Sequence, residues 1–291
     1  MSSAPENATI APEELVDLRR DGIIAKRGAF STTWVDRLHR DVLDAFAQAR
    51  EREDGAISRG PQRWYVAVHP EQLSGFADLV SHPWVTGLCE AVLGPEYTIV
   101  EIGFDVPFPG AANQPWHRDF ASPPETHVDR ELTSLAFNVT TVDTTPEMGP
   151  FQIAPGTHYE AGLDWEHQMF PPRSEWPRFA ARSELRMPQR GDISARSALT
   201  VHRGTAHHGD RARPVVVLGA VTGADAAEHD RHDLTVTQPY WDSLPDQVRR
   251  HIDARVVDAL RPVVQQHDIE GLVMGAPDDP GETRMPPLDA G

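Results

Sequence analysis

The chain has 291 residues, an apolar fraction of 39% and a formal net charge of −17 at pH 7. That is enough apolar material for a core and excludes wholesale disorder. The acidic balance argues against a nucleic acid or an anionic membrane as partner. The single cysteine, Cys89, excludes an intrachain disulfide framework and a thiolate zinc site.

The first residues carry neither a basic stretch nor an apolar one, so no signal peptide is expected. No run approaches the roughly 18 apolar residues of a membrane span. A cytoplasmic protein is the expectation. Residues 1–11 read as a tail. Pro12 to Arg20 reads as a helix with proline in its first turn, ended by Asp21-Gly22. Ile23-Ile24-Ala25 is a short strand. Ser31-Thr32-Thr33 offers caps for a helix through Arg50, with Val35, Leu38, Val42, Leu43 and Phe46 near helical spacing. Residues 51–63 read as a polar loop, and 70–81 and 82–93 as two helices closed by Gly94-Pro95. Cys89, in the apolar pattern of the second, reads as a buried structural thiol.

After residue 95 the texture changes. Tyr97–Phe104, Leu132–Thr140, Phe151–Ala154, Ala198–His202 and Val215–Val221 are short runs rich in β-branched and aromatic residues, separated by Pro/Gly turns. Helices first and strands later predict an α+β fold, with helices packed on a mainly β core. Residues 158–190 lack a clean period and read as a long insertion of the kind that covers sites. Ser243–Leu260 reads as a helix and the last twenty residues as irregular. No domain-separating linker stands out, so one domain is expected over 1–291. It comprises a helical part at 12–95, a barrel at 96–222 and a C-terminal part at 223–291.

Within Gln114-Pro115-Trp116-His117-Arg118-Asp119-Phe120, His117 and Asp119 sit two apart, so on a strand they share a face. His202 ends a later strand. Two histidines and one carboxylate are the ligand set of the facial triad, which leaves open positions on Fe(II). In a chain with 14 histidines the His-x-Asp pair alone is weak. Arg213, eleven residues after His202, adds a guanidinium suited to gripping a distal carboxylate. Arg203 and Arg211 are its local competitors.

Several segments together resemble the phytanoyl-CoA dioxygenase family of Fe(II)/2-oxoglutarate oxygenases. They are Trp116-His117-Arg118-Asp119, Pro146-Glu147-Met148-Gly149-Pro150-Phe151, Pro155-Gly156-Thr157-His158, and Gly191-Asp192 followed by His202 and Arg213. The resemblance implies a double-stranded β-helix, or jelly roll, with flanking helices. It implies iron ligands His117, Asp119 and His202, Arg213 for the far carboxylate of 2-oxoglutarate, and O2 as oxidant. The Met148 and Thr157 positions depart from the usual Asn and Ser without touching chemistry. His207-His208 adds histidines near the third ligand, but the spacing to Arg213 favours His202. Gln114 and Asn138 are candidates for contact with the cosubstrate. His158 reads as a loop anchor and Trp116 as packing beside the site. Tyr65, Phe104 and Trp165 read as packing residues, with a pocket lining as the alternative.

Related halogenases lack a carboxylate at the Asp119 position. Its presence therefore implies hydroxylation, or an oxidation such as desaturation, ring closure or epimerisation. The expected substrate is a small organic molecule, and the arginine-rich, lysine-poor composition suggests bacterial secondary metabolism. The rival readings are a cupin-like metalloenzyme that does not use 2-oxoglutarate and a non-catalytic jelly-roll binding protein.

Overall fold

The computed structural model describes residues 10–223, 234–265 and 285–288. Its amino-terminal half is helical: α1 (Pro12–Asp21), β1 (Ile23–Lys26), α2 (Thr32–Arg50), β2 (Ile57–Ser58), β3 (Arg63–Ala67), α3 (Phe76–Val80) and α4 (Pro83–Leu93). Then come β4 (Thr98–Pro107), α5 (Pro124–His127), β5 (Ser134–Thr140), β6 (Phe151–Ile153), α6 (Trp176–Arg182), β7 (Glu184–Arg186), β8 (Ile193–Arg196), β9 (His202–Gly204) and β10 (Val215–Val221). The chain continues through β11 (Thr235–Thr237), α7 (Gln238–Ser243), α8 (Asp246–Arg249) and β12 (Arg255–Val257).

Seven strands form one antiparallel sheet in the order β1-β8-β5-β10-β4-β3-β2, and β7-β6-β9 form a second. The two sheets face each other across a cavity, which is the jelly roll expected. Alternation along each strand gives the large sheet two different faces. Ile102, Phe104, Leu135, Phe137, Val139, Ile193, Ala195, Val216 and Leu218 point outward into one core with α2 and α4. Glu101, Asp105, Asn138, Ser194, Arg196, Val217 and Gly219 point inward and line the cavity.

The helical layer forms for local reasons. In α2, Trp34, Val35, Leu38, Val42, Ala45, Phe46 and Ala49 recur at helical spacing and are buried. The Ser31 hydroxyl accepts from the Trp34 N–H at 3.3 Å and starts the helix. Gly22, at φ 74°, ends α1 with its N–H bonded to the Leu18 carbonyl. Cys89 is fully buried in α4, and burial raises its thiol far above the ordinary range.

Some expectations need correction. Residues 70–81 hold a single 3-10 turn at Pro70–Gln72 and the short α3, because Gly75 breaks the run and packs flat on the Trp34 indole. The helix expected over 243–260 is replaced by the short α8 and by β12, after α7 ends at Ser243. Pro245 removes a donor and starts a new turn, and the β-branched Val256-Val257 run pairs in parallel with β11. Residues 198–201 form a turn, and the strand begins at His202. Strands β3 and β8 lie where none was expected. The insertion at 158–190 holds α6 and β7, and the loop at 51–63 holds β2 and the start of β3. Of the expected tail at 1–11, residues 1–9 lie outside the described residues, as do most of the last twenty, while Ile10 is buried in the core and Ala11 caps α1.

One knot holds the chain just ahead of His202. The Thr157 hydroxyl donates to the Ala154 carbonyl at 2.8 Å and accepts from the Val201 N–H at 2.9 Å. The Thr200 hydroxyl donates to the Gly22 carbonyl at 3.0 Å. His158 Nε2 contacts the Arg19 carbonyl at 3.2 Å, and a Cβ on Gly22 would strike both His158 and Thr200. His158 is therefore an anchor, remote from the cavity.

Burial pushes the His158 imidazole down to about 4, against an ordinary value near 6.5. Between those values the unfolded chain binds the proton and the folded one does not. Stability from this group is therefore full above pH 6.5 and falls as the pH drops toward 4, by at most about 1.4 kcal/mol per unit. Urea unfolding across that window is expected to show a shallower acid loss in His158→Gln than in wild type. Equal slopes would refute the assignment.

Candidate metal centre

His117 and His202 are cross-strand neighbours. Each donates its backbone N–H to the other's carbonyl, at 3.0 Å from His117 and 2.8 Å from His202. The side chains repeat the symmetry. His117 Nδ1 lies 2.9 Å from the Pro115 carbonyl and His202 Nδ1 2.8 Å from the Thr200 carbonyl. A carbonyl accepts only, so each Nδ1 carries the proton and each Nε2 keeps a free lone pair. Burial, followed by mutual repulsion at His117 and by Arg196 at His202, holds both imidazoles below their usual range. They are neutral at neutral pH, the form that binds metal.

Asp119 follows two residues after His117, and its N–H donates to the Ala198 carbonyl at 3.0 Å. Its Oδ1 lies 3.4 Å from His202 Nε2, and its Oδ2 accepts from Arg196 Nη1 at 2.7 Å. Burial alone would raise this carboxyl, but the Arg196 guanidinium outweighs it and holds it well below the usual carboxylate range. One ligand atom from each of His117, Asp119 and His202 lies within 4.8 Å of the others. This is a dianion-free, two-imidazole, one-carboxylate donor set, chemically fitted to Fe(II).

The cavity beside the triad is about 470 Å³ and draws its walls from both sheets. Arg213 lines it and is 4% exposed. Its Nε and Nη2 donate to the Met148 and Gly149 carbonyls at 3.0 and 2.8 Å, while Nη1 makes no hydrogen bond among the described residues. Arg63 stands nearby. It pairs with Asp105 at 3.0 Å, and its Nε is buried without a partner. Two buried guanidiniums therefore share one carboxylate. Burial and the repulsion from Arg63 bring Arg213 down to about 10, still protonated at neutral pH. Both arginines thus present net positive charge to whatever enters.

The other candidates fall out differently. Asn138 faces the cavity with no side-chain hydrogen bond to the described residues. Gln114 lines the cavity, but its Oε1 accepts from the Gly204 N–H at 2.8 Å and its Nε2 donates to the Arg59 carbonyl at 3.4 Å. It braces backbone, which leaves little of its amide for a ligand. Arg203 lies over the Trp116 ring outside the cavity, and Arg211 is exposed. His207 bonds within its own turn and His208 is exposed, so neither joins the triad. Trp116 and Trp165 pack in a small cluster with Phe179, and Phe104 packs in the main core. Tyr65 does line the cavity. Sequence reasoning missed Arg63 and Arg196. Each sits on an unrecognised strand, and only the pairing register reveals that it points inward.

With this geometry in place, the family model for phytanoyl-CoA dioxygenase (PhyH) matches residues 18–215. The chain belongs to the phytanoyl-CoA dioxygenase family. It is a non-haem iron, 2-oxoglutarate-dependent oxygenase. Solved structures share its fold. One is the non-heme alpha ketoglutarate dependent carbocyclase SnoK from nogalamycin biosynthesis, with a TM-score of 0.59, 20% identity, and 76% of this chain and 87% of that one covered. Another is EctD from S. alaskensis with bound Fe, at 0.59, 18%, 76% and 80%. HygX from Streptomyces hygroscopicus, with nickel and 2-oxoglutarate bound, gives 0.54, 16%, 73% and 87%.

The Arg196–Asp119 pair in this phytanoyl-CoA dioxygenase family member makes a prediction that needs no metal. Arg196→Met leaves the carboxylate without its cation and is expected to lower the unfolding free energy by about 1–3 kcal/mol at pH 7. Because the folded carboxyl lies below its unfolded value near 3.9, the gap should narrow only as pH falls under about 4. Urea titrations of metal-free protein measure it, and no difference at pH 7 would count against the pair.

Proposed function

We propose that His117, Asp119 and His202 hold Fe(II), and that Arg213 and Arg63 hold the far carboxylate of 2-oxoglutarate within the cavity. The observation that carries this reading is the charge imbalance there. Two buried guanidiniums share one carboxylate beside a triad of deprotonated donors, and a dicarboxylate that spans from metal to arginine would answer both. Bound iron supplies the redox chemistry, in which O2 and 2-oxoglutarate yield succinate and CO2 while a C–H bond of the substrate is oxidised.

The protein's residues fix the positions. The Pro115 and Thr200 carbonyls orient the imidazoles, and Arg196 orients Asp119 through the oxygen not facing His202. Asn138 lines the cavity and would donate to a carboxylate or keto oxygen there, and Gln114 stiffens the wall through Gly204. Phe170, whose ring lies 6.0 Å from that of His117, and Met169 close the cavity from the insertion and keep water out. The presence of Asp119 favours hydroxylation, or a related oxidation, over halogenation. The substrate is a small molecule. SnoK's place in nogalamycin biosynthesis supports a role in secondary metabolism, and the whole chain is read as one oxygenase domain.

Anaerobic addition of Fe(II) and 2-oxoglutarate is expected to produce a metal-to-ligand charge-transfer band. His117→Ala should abolish it. Arg213→Met should retain iron and raise the 2-oxoglutarate concentration for half-saturation at least about tenfold, and Arg63→Met should do the same to a smaller degree. Iron binding with no band in wild type would favour a metalloenzyme that does not use 2-oxoglutarate. Absence of iron binding would favour a binding protein.

A further inference from the structure

Two glycines sit in the middle of strands where nothing in the backbone demands them. Gly103 in β4 and Gly219 in β10 are not among the positive-φ residues. Gly219 adjoins a register shift, but with an ordinary φ that shift does not require glycine. What both lack is room for a side chain. A Cβ on Gly103 would lie 2.3 Å from the Tyr65 hydroxyl oxygen. One on Gly219 would lie 2.9 Å from Glu101 Cβ and 3.0 Å from Glu101 Oε2. Glycine inside a strand weakens it and marks a close approach. Here two adjacent strands give up a side chain to seat the same pair, in which Tyr65 Oη donates to Glu101 Oε1 at 2.5 Å.

This pair faces the cavity that the triad faces. The other carboxylates on that wall have cations: Asp105 has Arg63, and Asp119 has Arg196. Glu101 has none among the described residues. Its one hydrogen bond occupies Oε1 and leaves Oε2 open. Val217 and Val221 also line the cavity and lower the local dielectric, which sharpens the demand for a counter-charge.

We propose that Glu101, braced by Tyr65, is the recognition group for a basic nitrogen of the primary substrate, a protonated amine or guanidine. The assignment rests on the reading that iron and 2-oxoglutarate occupy this cavity. A hydroxyl could be held as well by an amide or a serine. A half-buried carboxylate with no ion pair among the described residues is suited to a cationic guest. It also sorts the two organic ligands by charge, since Arg63 and Arg213 attract a dicarboxylate and the Glu101 wall repels one.

The test uses small-molecule sets that share a carbon skeleton and end in an amine, an alcohol or a carboxylic acid. Succinate release above the uncoupled background is measured for the intact enzyme with Fe(II) and 2-oxoglutarate. Amines are expected to be the stimulating members. Glu101→Gln should raise their half-saturating concentration at least about tenfold, with 2-oxoglutarate binding and the charge-transfer band unchanged. Glu101→Asp should recover part of the loss. The inference is overturned if alcohols or acids are the stimulating members, if no amine stimulates, or if Glu101→Gln responds to amines as wild type does. A wild-type enzyme without the charge-transfer band would instead remove the iron reading beneath it.

Discussion

Two backbone hydrogen bonds carry the rest of the site. His117 and His202 donate to each other across a single antiparallel bridge, so the distance between two of the three metal-facing side chains is set by main-chain geometry. Each imidazole is then aimed by a carbonyl two residues earlier in the chain. Nothing in this arrangement depends on a long flexible side chain finding its place. The entropy of ordering the donors is met when the sheets form. The segment that carries Asp119 forms no regular strand; Asp119 joins because, two residues past the bridge, its N–H donates to the Ala198 carbonyl at 3.0 Å.

Charge compensation then propagates inward from that bridge. Asp119 is stable as an anion only because Arg196, from β8, is aimed at its outer oxygen. Arg63 performs the same service for Asp105, and Arg213 has no carboxylate partner among the described residues. The interior is therefore polarised, with surplus positive charge at Arg63 and Arg213 and, on the wall, a Glu101 that has no ion pair among the described residues. A cavity built this way favours a dicarboxylate in one orientation and disfavours the reverse, without a moving part.

The parts legible in the sequence were those that local patterns encode. Helix α2 announces itself through a cap at Ser31 and apolar residues at helical spacing. Strands β4, β5 and β10 do so through β-branched runs. His117 and Asp119 were visible because ligands two apart on a strand share a face, and their convergence with His202 and Arg213 is what the fold displays. Arg63 and Arg196 were not visible, since an arginine beside a polar loop looks like a surface residue until its strand's register is known. The same ignorance hid Glu101. The expected helix at 243–260 failed for the opposite reason. Its composition suited a helix, but a proline start and a partner strand outweighed propensity.

Arg118, between the two ligands of the His-x-Asp motif, shows how the variable part of the chain is tied to the fixed part. Alternation that points His117 and Asp119 into the cavity points Arg118 out of it, into the 158–190 insertion. There its guanidinium is fully buried and donates to the Glu160, Ala161 and Gln168 carbonyls at 2.6, 2.7 and 2.8 Å. Burial brings it down to about 10 while leaving it charged. Backbone carbonyls accept from any sequence, so this clamp constrains the path of the insertion without constraining its side chains. Met169 and Phe170, just beyond the clamped Gln168, are thereby held against the cavity. Residues there can change to suit a new substrate while the loop stays registered to the metal ligands.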